Sequence, residues 1–469
     1  MTQVVLERVE TDSLGPIAIP ERAAWGTQTQ RAVENFPITG VPISHYPELI
    51  VALAMVKKAC AVSNARLSVL DEIRAGIIVQ VCDEIIAGEH HEQFVVDVIQ
   101  GGAGTSTNMN VNEVIANVGL SKLGYNYGEY ERLHPNDHVN RSQSTNDVYP
   151  TAVRLATLAR TVPLTQAMQR LVDVFYAKAE EFSDILKVGR TQLQDAVPMS
   201  LGSEFQGFAT TIKEDIQRIS DLSVLLTEVN LGGTAIGTGI NAPEGFRELV
   251  VQNLCDISQE KLSLADDLIE ASSDVGAFVM FSGALKRVAI KLSKICNDLR
   301  LMSSGPRAGF GEIILPSVQA GSSIMPGKVN PVIPEVVNQV CYQAIGSDLT
   351  IAMAAEAGQF QLNAMEPIII HKVLEMMGSL TSAMDVLSNR CIKGITADRE
   401  RCAALLNGSL VNVTALAPII GYEAATKLAK YALAHGASLQ DAAYQALPDE
   451  LASKTCGAIE SNFHPNELK

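Results

Sequence analysis

Four polar loops carry the residues whose types and spacing suit chemistry. The most informative spans 320–335, AGSSIMPGKVNPVIPE. It combines two hydroxyls (Ser322, Ser323), one cation (Lys328), one amide (Asn330) and flexible points at Gly321 and Gly327. Pro334 is placed as the first residue of a following helix. A flexible polar loop with one cation is what a lid over a small anion needs, although an ordinary helix-capping loop has a similar composition. The second loop, 140–147 (NRSQSTND), clusters Ser144, Thr145 and Asn146 before a helical pattern. The third, 189–198 (GRTQLQDAVP), and the fourth, 101–108 (GGAGTSTN), are again polar and rich in hydroxyls and amides. Each alone reads as an N-cap, since Ser, Thr, Asn and Asp are the usual capping residues. Together they supply hydroxyls, amides and helix N-termini with little negative charge, a set that suits a small dicarboxylate. No metal-ligand spacing is present, and the His90–His91 pair beside Glu89 and Glu92 reads as a solvated turn. Neither a dinucleotide fingerprint nor a P-loop follows a strand pattern.

These loops need long helices to hold them. Leu285, Val288, Leu292, Ile295, Leu299 and Met302 recur at spacings of three and four, which predicts a helix over about 265–302. Similar periodicity predicts helices over 151–183, 203–230, 334–357 and 368–390, and shorter ones near 48–66 and 70–87. Helices of this length are unusual in an ordinary domain and make sense if they also pack against other subunits. The pattern divides the chain into a mixed N-terminal segment (1–143), a central long-helix bundle (144–396) and a small helical C-terminal segment (397–469) with helices near 401–414, 420–434 and 438–446.

Composition agrees with a helical chain. The 469 residues are 47% hydrophobic but only 5% aromatic, so the core is built from Ala, Leu, Ile, Val and Met. A net charge of −16 argues against nucleic acid as a partner. The eight cysteines contain no C-x-x-C pair and read as free buried thiols of a reducing compartment. The first residues, MTQVVLERVETDS, lack a basic region followed by an apolar stretch, and no uncharged run makes a good membrane span. The expected location is the cytoplasm.

The stretch GSSIMPGKVNP at 321–331 closely resembles the signature loop of the aspartase/fumarase superfamily. The resemblance covers essentially the whole chain, from RVETDSLG and WGTQTQRAVENF to NGSLVNVTALAPIIGYEAA. It implies a mainly α, three-domain chain whose long central helices form a twenty-helix bundle in a homotetramer, with each active site drawing loops from three subunits. Several positions resemble the aspartase branch: QGGAGTS at 100–106, Thr145 within STND, Gln192 within GRTQLQDAVPM, and Met365–Glu366 within QLNAMEP. The PGK at 326–328 and WGTQTQR look as much like class II fumarases.

The resemblance implies reversible deamination of L-aspartate to fumarate. Ser322 is then the general base that removes the C3 proton, and the adjoining carboxylate takes up charge as an aci-carboxylate. Thr105, Ser144, Thr145 and Ser323 surround that carboxylate, Lys328 pairs with the other, and Asn146, Thr191, Gln192 and Asn330 surround the amino group. No organic cofactor is implied; a divalent cation activates some relatives, but no site for one is legible here. The competing expectations are a class II fumarase, a lyase of a substituted aspartate, and a non-catalytic structural protein, since members of the superfamily have been recruited as lens proteins.

Overall fold

Pro47 at the first helical position and Asp71 accepting the Arg74 N–H at 3.0 Å show how closely local sequence sets the element starts. The computed structural model describes residues 6–321, 325 and 327–461. An antiparallel hairpin, β1 (Glu7–Asp12) and β2 (Gly15–Pro20), leads into α1 (Thr27–Asn35), α2 (Pro47–Arg66) and α3 (Glu72–Ile86). Buried Glu113 lies opposite the start of α1, where its carboxylate accepts the N–H groups of Gly26, Gln28 and Thr29 at 2.9–3.1 Å.

Glu113 belongs to α4 (Thr105–Lys122), whose first turn the sequence pattern predicts as a loop. Asparagine is a weak helix former because its amide competes for backbone groups. Here the amides bond across the structure instead. Asn110 accepts from Val95 N and donates to Gln93 O, and Asn117 donates to Ala24 O and accepts from Gly128 N. Tertiary bonding overrides the propensity.

The long helices are α5 (Thr145–Glu181), α6 (Leu201–Ser223), α9 (Gly276–Met302), α10 (Val332–Glu356) and α11 (Glu366–Arg390). A second antiparallel hairpin, β3 (Leu186–Thr191) and β4 (Gln194–Ser200), precedes α6. The parallel pair β5 (Glu228–Val229) and β6 (Ser263–Leu264) brackets α7 (Phe246–Ser258). A single turn, α8 (Leu268–Ala271), follows. Next come α9, then β7 (Ile313–Ile314), paired with β8 (Thr396–Ala397), and α12 (Arg399–Gly408), α13 (Asn412–Ile420), α14 (Tyr422–His435), α15 (Leu439–Ala446) and α16 (Asp449–Ser461).

The helix expected over 265–302 begins later. Asp267 caps α8 alone by accepting from Ile269 N and Glu270 N, and Asp274 accepts the Gly276 N–H that starts α9. Its predicted stripe, Leu285 to Met302, is fully or almost fully buried. The helix expected over 203–230 stops at Ser223, where Ser223 and Thr227 hydroxyls bond back to Ser220 O and Val224 O. α10 starts at Val332, so Pro334 is its third residue.

The chain forms two compact units. One comprises Met1–Thr165, Gln217–Arg287 and Gln343–Ser379; the other comprises Gln166–Ile216, Val288–Tyr342 and Leu380–Lys469. The core of the first unit includes Ile50, Leu53, Val111, Val114, Ile115, Val148, Ala152, Val373 and Leu374, none of them accessible to solvent. In the second unit Phe175, Phe182, Phe205 and Phe208 meet with ring centroids 5.3–6.3 Å apart. Its C-terminal helices bury a cluster of their own around Leu416, Leu428, Ala442 and Ala452. Among the described residues no single helix is long and apolar enough to cross a membrane.

Candidate active site

The Gly101–Gly104 turn exists to let α4 begin where it does. Gly104 has φ +88°, and a Cβ there would lie 2.6–2.7 Å from the ring of Tyr149, itself almost fully buried. Thr105, the first residue of α4, is exposed, and its hydroxyl donates to Gly102 O at 2.7 Å. Its proton is therefore engaged within the turn and must swing free to meet a ligand.

Ser144 and Thr145 are set up differently. The Ser144 hydroxyl accepts the Asn146 N–H at 3.2 Å, and the Thr145 hydroxyl accepts from Asn108 Nδ2 at 3.1 Å. A hydroxyl that already accepts keeps its proton for another partner, so half-buried Ser144 and buried Thr145 each have a donor to offer. Asn146 donates through Nδ2 to Ala235 O at 2.8 Å. A carbonyl can only accept, so the amide orientation is settled and Asn146 Oδ1 remains as an acceptor. Thus the start of α5 offers two donors beside one acceptor.

A buried polar layer supports this loop, and the sequence reading missed it. Lys57, with no exposed surface, donates to Asn140 Oδ1 and Gln143 Oε1, both at 2.9 Å. Asn108 and Asn112 also donate to Asn140 Oδ1, each at 3.2 Å. Burial lowers the Lys57 ammonium to about 8. Burial pushes the Asp147 carboxyl up to about 6, against the opposing pull of its N–H donors at Ser144, Thr234 and Gly232. The only sequence signal was the polar run in the middle of the apolar α2 and α4 patterns. Glu366, the first residue of α11, is likewise buried and raised to about 8.

Those residues lie in the first unit; the remaining candidates lie in the second. Residues 189–198, expected as a capping loop, form the tip and flanks of the β3–β4 hairpin instead. Thr191 pairs with Gln194, leaving Gln192 and Leu193 as a two-residue turn with φ +55° and +62°. Such turns favour Asn-Gly, because each non-glycine residue with positive φ costs about 1–2 kcal/mol. Thr191 and Gln192 are consequently held at an exposed, strained tip. Its base is anchored: fully buried Glu312 accepts from Arg190 at 2.8 Å, and Lys187 lies 3.4 Å away. Arg190 also stacks over Phe310 at 4.2 Å.

In the 320–335 loop, Ser322 and Ser323 lie outside the described residues. The loop's ends are tied by Asn330 Nδ2, which donates to Gly321 O at 2.7 Å and leaves Oδ1 as an acceptor. Lys328 is exposed and makes no ion pair with any described residue. His90 and His91 are not a solvated pair as expected. Both are half-buried, His90 beside Glu84 at 3.2 Å and His91 bonded to Ile85 O at 2.9 Å. Glu84, Glu89 and His90 come within 4.8 Å of one another, but the Lys122 ammonium already sits on Glu84.

A family profile described as Lyase matches residues 15–346, and one described as Fumarase C C-terminus matches 413–447. The chain belongs to the aspartase/fumarase superfamily. Within this superfamily, an aspartate ammonia-lyase of Pseudomonas aeruginosa is 58% identical over 437 residues, 93% of this chain and 92% of that protein. An aspartate ammonia-lyase of Escherichia coli is 50% identical over 460 residues, covering 98% and 96%. Among solved structures, a Brucella melitensis protein titled fumarate lyase:delta crystallin bound to cobalt superposes with a TM-score of 0.92 at 55% identity, over 97% of this chain and all of that one. A class II fumarase from Schistosoma mansoni superposes with a TM-score of 0.90 at 33% identity, over 97% of this chain and all of that one. The mainly helical superfamily fold expected from 321–331 is therefore present throughout.

Proposed function

We propose that this chain deaminates L-aspartate reversibly to fumarate and ammonia. The observation that carries the reading is the start of α5, where Ser144 and Thr145 present protons and Asn146 presents an oxygen. That pattern matches a substrate with a carboxylate beside an ammonium, and the two named lyases supply the reaction.

Ser322, as an alkoxide, removes the C3 proton, and the C–H electron pair moves into the adjoining carboxylate. Stabilising the resulting aci-carboxylate is the main task, and hydroxyl protons from Ser144, Thr145, Ser323 and a reoriented Thr105 serve it without leaving a counter-charge. Lys328 holds the second carboxylate. The electron pair then returns to form the C2–C3 double bond, the C2–N bond breaks, and the amine leaves as neutral ammonia. Asn146 and Asn330 accept from the ammonium through Oδ1, with Thr191 and Gln192 beside it.

Gln192 favours ammonia over water. A neutral amide cannot take up a proton near neutral pH, whereas water needs a base before it adds to fumarate. Ammonia needs only positioning. We further propose a homotetramer with sites shared between chains, supported by Tyr342, Leu349 and Met353, which leave apolar side chains 57–66% exposed at helical spacing along α10. The eight free cysteines, six of them buried, support a cytoplasmic location.

The test is product analysis of fumarate with and without ammonium, alongside fumarate release from aspartate and from malate. Aspartate formed faster than malate by more than ~10²-fold, about 2.7 kcal/mol of discrimination, is expected. Malate as the dominant product in both cases overturns the reading and leaves class II fumarase standing.

A further inference from the structure

Asp147 closes the capping arrangement at the start of α5, and a cap needs only one of its oxygens. Oδ1 accepts the Ser144 N–H at 3.0 Å while the Ser144 hydroxyl accepts the Asn146 N–H at 3.2 Å. Oδ2 does something a cap does not require. It accepts the N–H groups of Gly232 at 3.0 Å and Thr234 at 2.9 Å, pulling the 230–235 turn against the loop. That turn has little freedom of its own: Gly232 has φ +90°, and a Cβ there would lie 2.6 Å from Arg247 Cβ.

The turn returns two bonds, both to Asn146. Asn230 Nδ2 donates to the Asn146 carbonyl at 2.9 Å, and the Ala235 carbonyl accepts from Asn146 Nδ2 at 2.8 Å. Asn230 is itself buried, and its amide also donates to the Ser272 hydroxyl at 3.2 Å. The main chain of Asn146 is thus held by one residue of the turn and its amide nitrogen by another. If the turn shifts, the amide loses the carbonyl that dictates which end faces out. An amide turned the other way would present N–H to an ammonium, which is repulsive.

We infer that Asp147 and Asn230 are positioning residues that hold the 230–235 turn so that Asn146 keeps its oxygen toward the amine, making this turn a determinant of amine binding. The inference rests on the proposed placement of Asn146 beside the amino group. Three variants of the full chain, assayed from fumarate plus ammonium, test it. Asn230→Ala and Asp147→Asn are expected to raise the KM for ammonium by about tenfold or more, the order of one lost hydrogen bond, while the KM for fumarate stays within about twofold. A purely structural role would instead lower kcat or move both KM values together, and that result overturns the inference. Should Asp147→Asn fail to assemble, Asn230→Ala decides by the same criterion. Asn146→Ala separates the two levels. If it leaves the ammonium KM unmoved, the placement of Asn146 fails and the inference with it. If it raises the ammonium KM and the other two variants do not, the inference alone fails.

Discussion

Replacing Gly104 with Ala tests whether the turn before α4 is as tightly determined as its geometry implies. Two costs are separable. The backbone at φ +88° is left-handed, which costs an alanine about 1–2 kcal/mol. The new methyl would also sit 2.6–2.7 Å from three ring atoms of Tyr149, which is almost fully buried. Overpacking of this kind adds about 1–3 kcal/mol, for a total of about 2–5 kcal/mol. Gly102 is the internal control. It shares the backbone strain, at φ +91°, but its nearest neighbour would be Thr105 Cβ at an ordinary 3.7 Å. Gly102→Ala should therefore lose only about 1–2 kcal/mol. The assay is the urea midpoint of each variant at a common m-value, with fumarate absorbance for activity. Because the start of α4 must shift to admit the methyl, Thr105 and Asn108 shift with it. Aspartate turnover per KM should fall by at least ~10-fold in Gly104→Ala. Equal destabilisation by the two variants would show that Tyr149 does not enforce the glycine.

Lys328 makes no ion pair with a described residue, so its charge is available to a substrate carboxylate; Lys328→Ala should weaken aspartate turnover per KM by about 1.5–3 kcal/mol. An unchanged dependence on aspartate concentration removes it from the site. Ser322→Ala should lower turnover by at least ~10²-fold, the low end for a lost general base. Mixed with inactive Thr191→Ala and refolded, it should recover partial activity, since the two residues reach a shared site from different subunits; none, with subunit exchange confirmed, argues against such sharing. Glu366 is protonated in the fold up to about pH 8 but ionises near its ordinary value of 4.5 once unfolded, so wild-type stability falls as pH rises through that window. Glu366→Gln, which cannot ionise, should gain on the wild type in melting temperature between pH 5 and 8, and a constant difference across that range would falsify the assignment.

The long helices were legible because their buried stripes obey one period. Leu285 to Met302 lie on such a stripe, and all are buried in α9. What escaped was decided by polar groups. The Asp267 and Asp274 caps split the apolar pattern of 265–302, and no periodicity reports a cap placed inside an otherwise helical run. α4 was half hidden because its asparagines serve partners far away in sequence, such as Gln93 and Ala24. The β3–β4 tip is not legible as a hairpin because Gln-Leu is not a turn dipeptide, and only the paired strands force it into one. Within the site, the outward residues were visible as motifs. Asp147 stands in the same STND motif, but Lys57 and Asn230 do not, because a buried polar residue in a helical or Gly-rich run has no pattern apart from the partners it finds.

The arrangement also explains how a chain of net charge −16 can receive a dianion. Two full charges at the α5 loop are buried, although Arg141 within it is exposed. Lys57 and Asp147 have no exposed surface, and burial moves each toward its neutral form. Their bonds are directed at the loop from below, Lys57 to Asn140 and Gln143, Asp147 to Ser144, Gly232 and Thr234. Beside that arginine the loop offers neutral but polarised groups: the hydroxyls of half-buried Ser144 and buried Thr145 and the amide oxygen of Asn146. Neutral donors have a small desolvation penalty, and they strengthen as charge develops on the carboxylate they face. A fixed cation in the same place would bind the ground state nearly as well as the aci-carboxylate and so contribute little to rate. The buried charges thus act by holding dipoles in place.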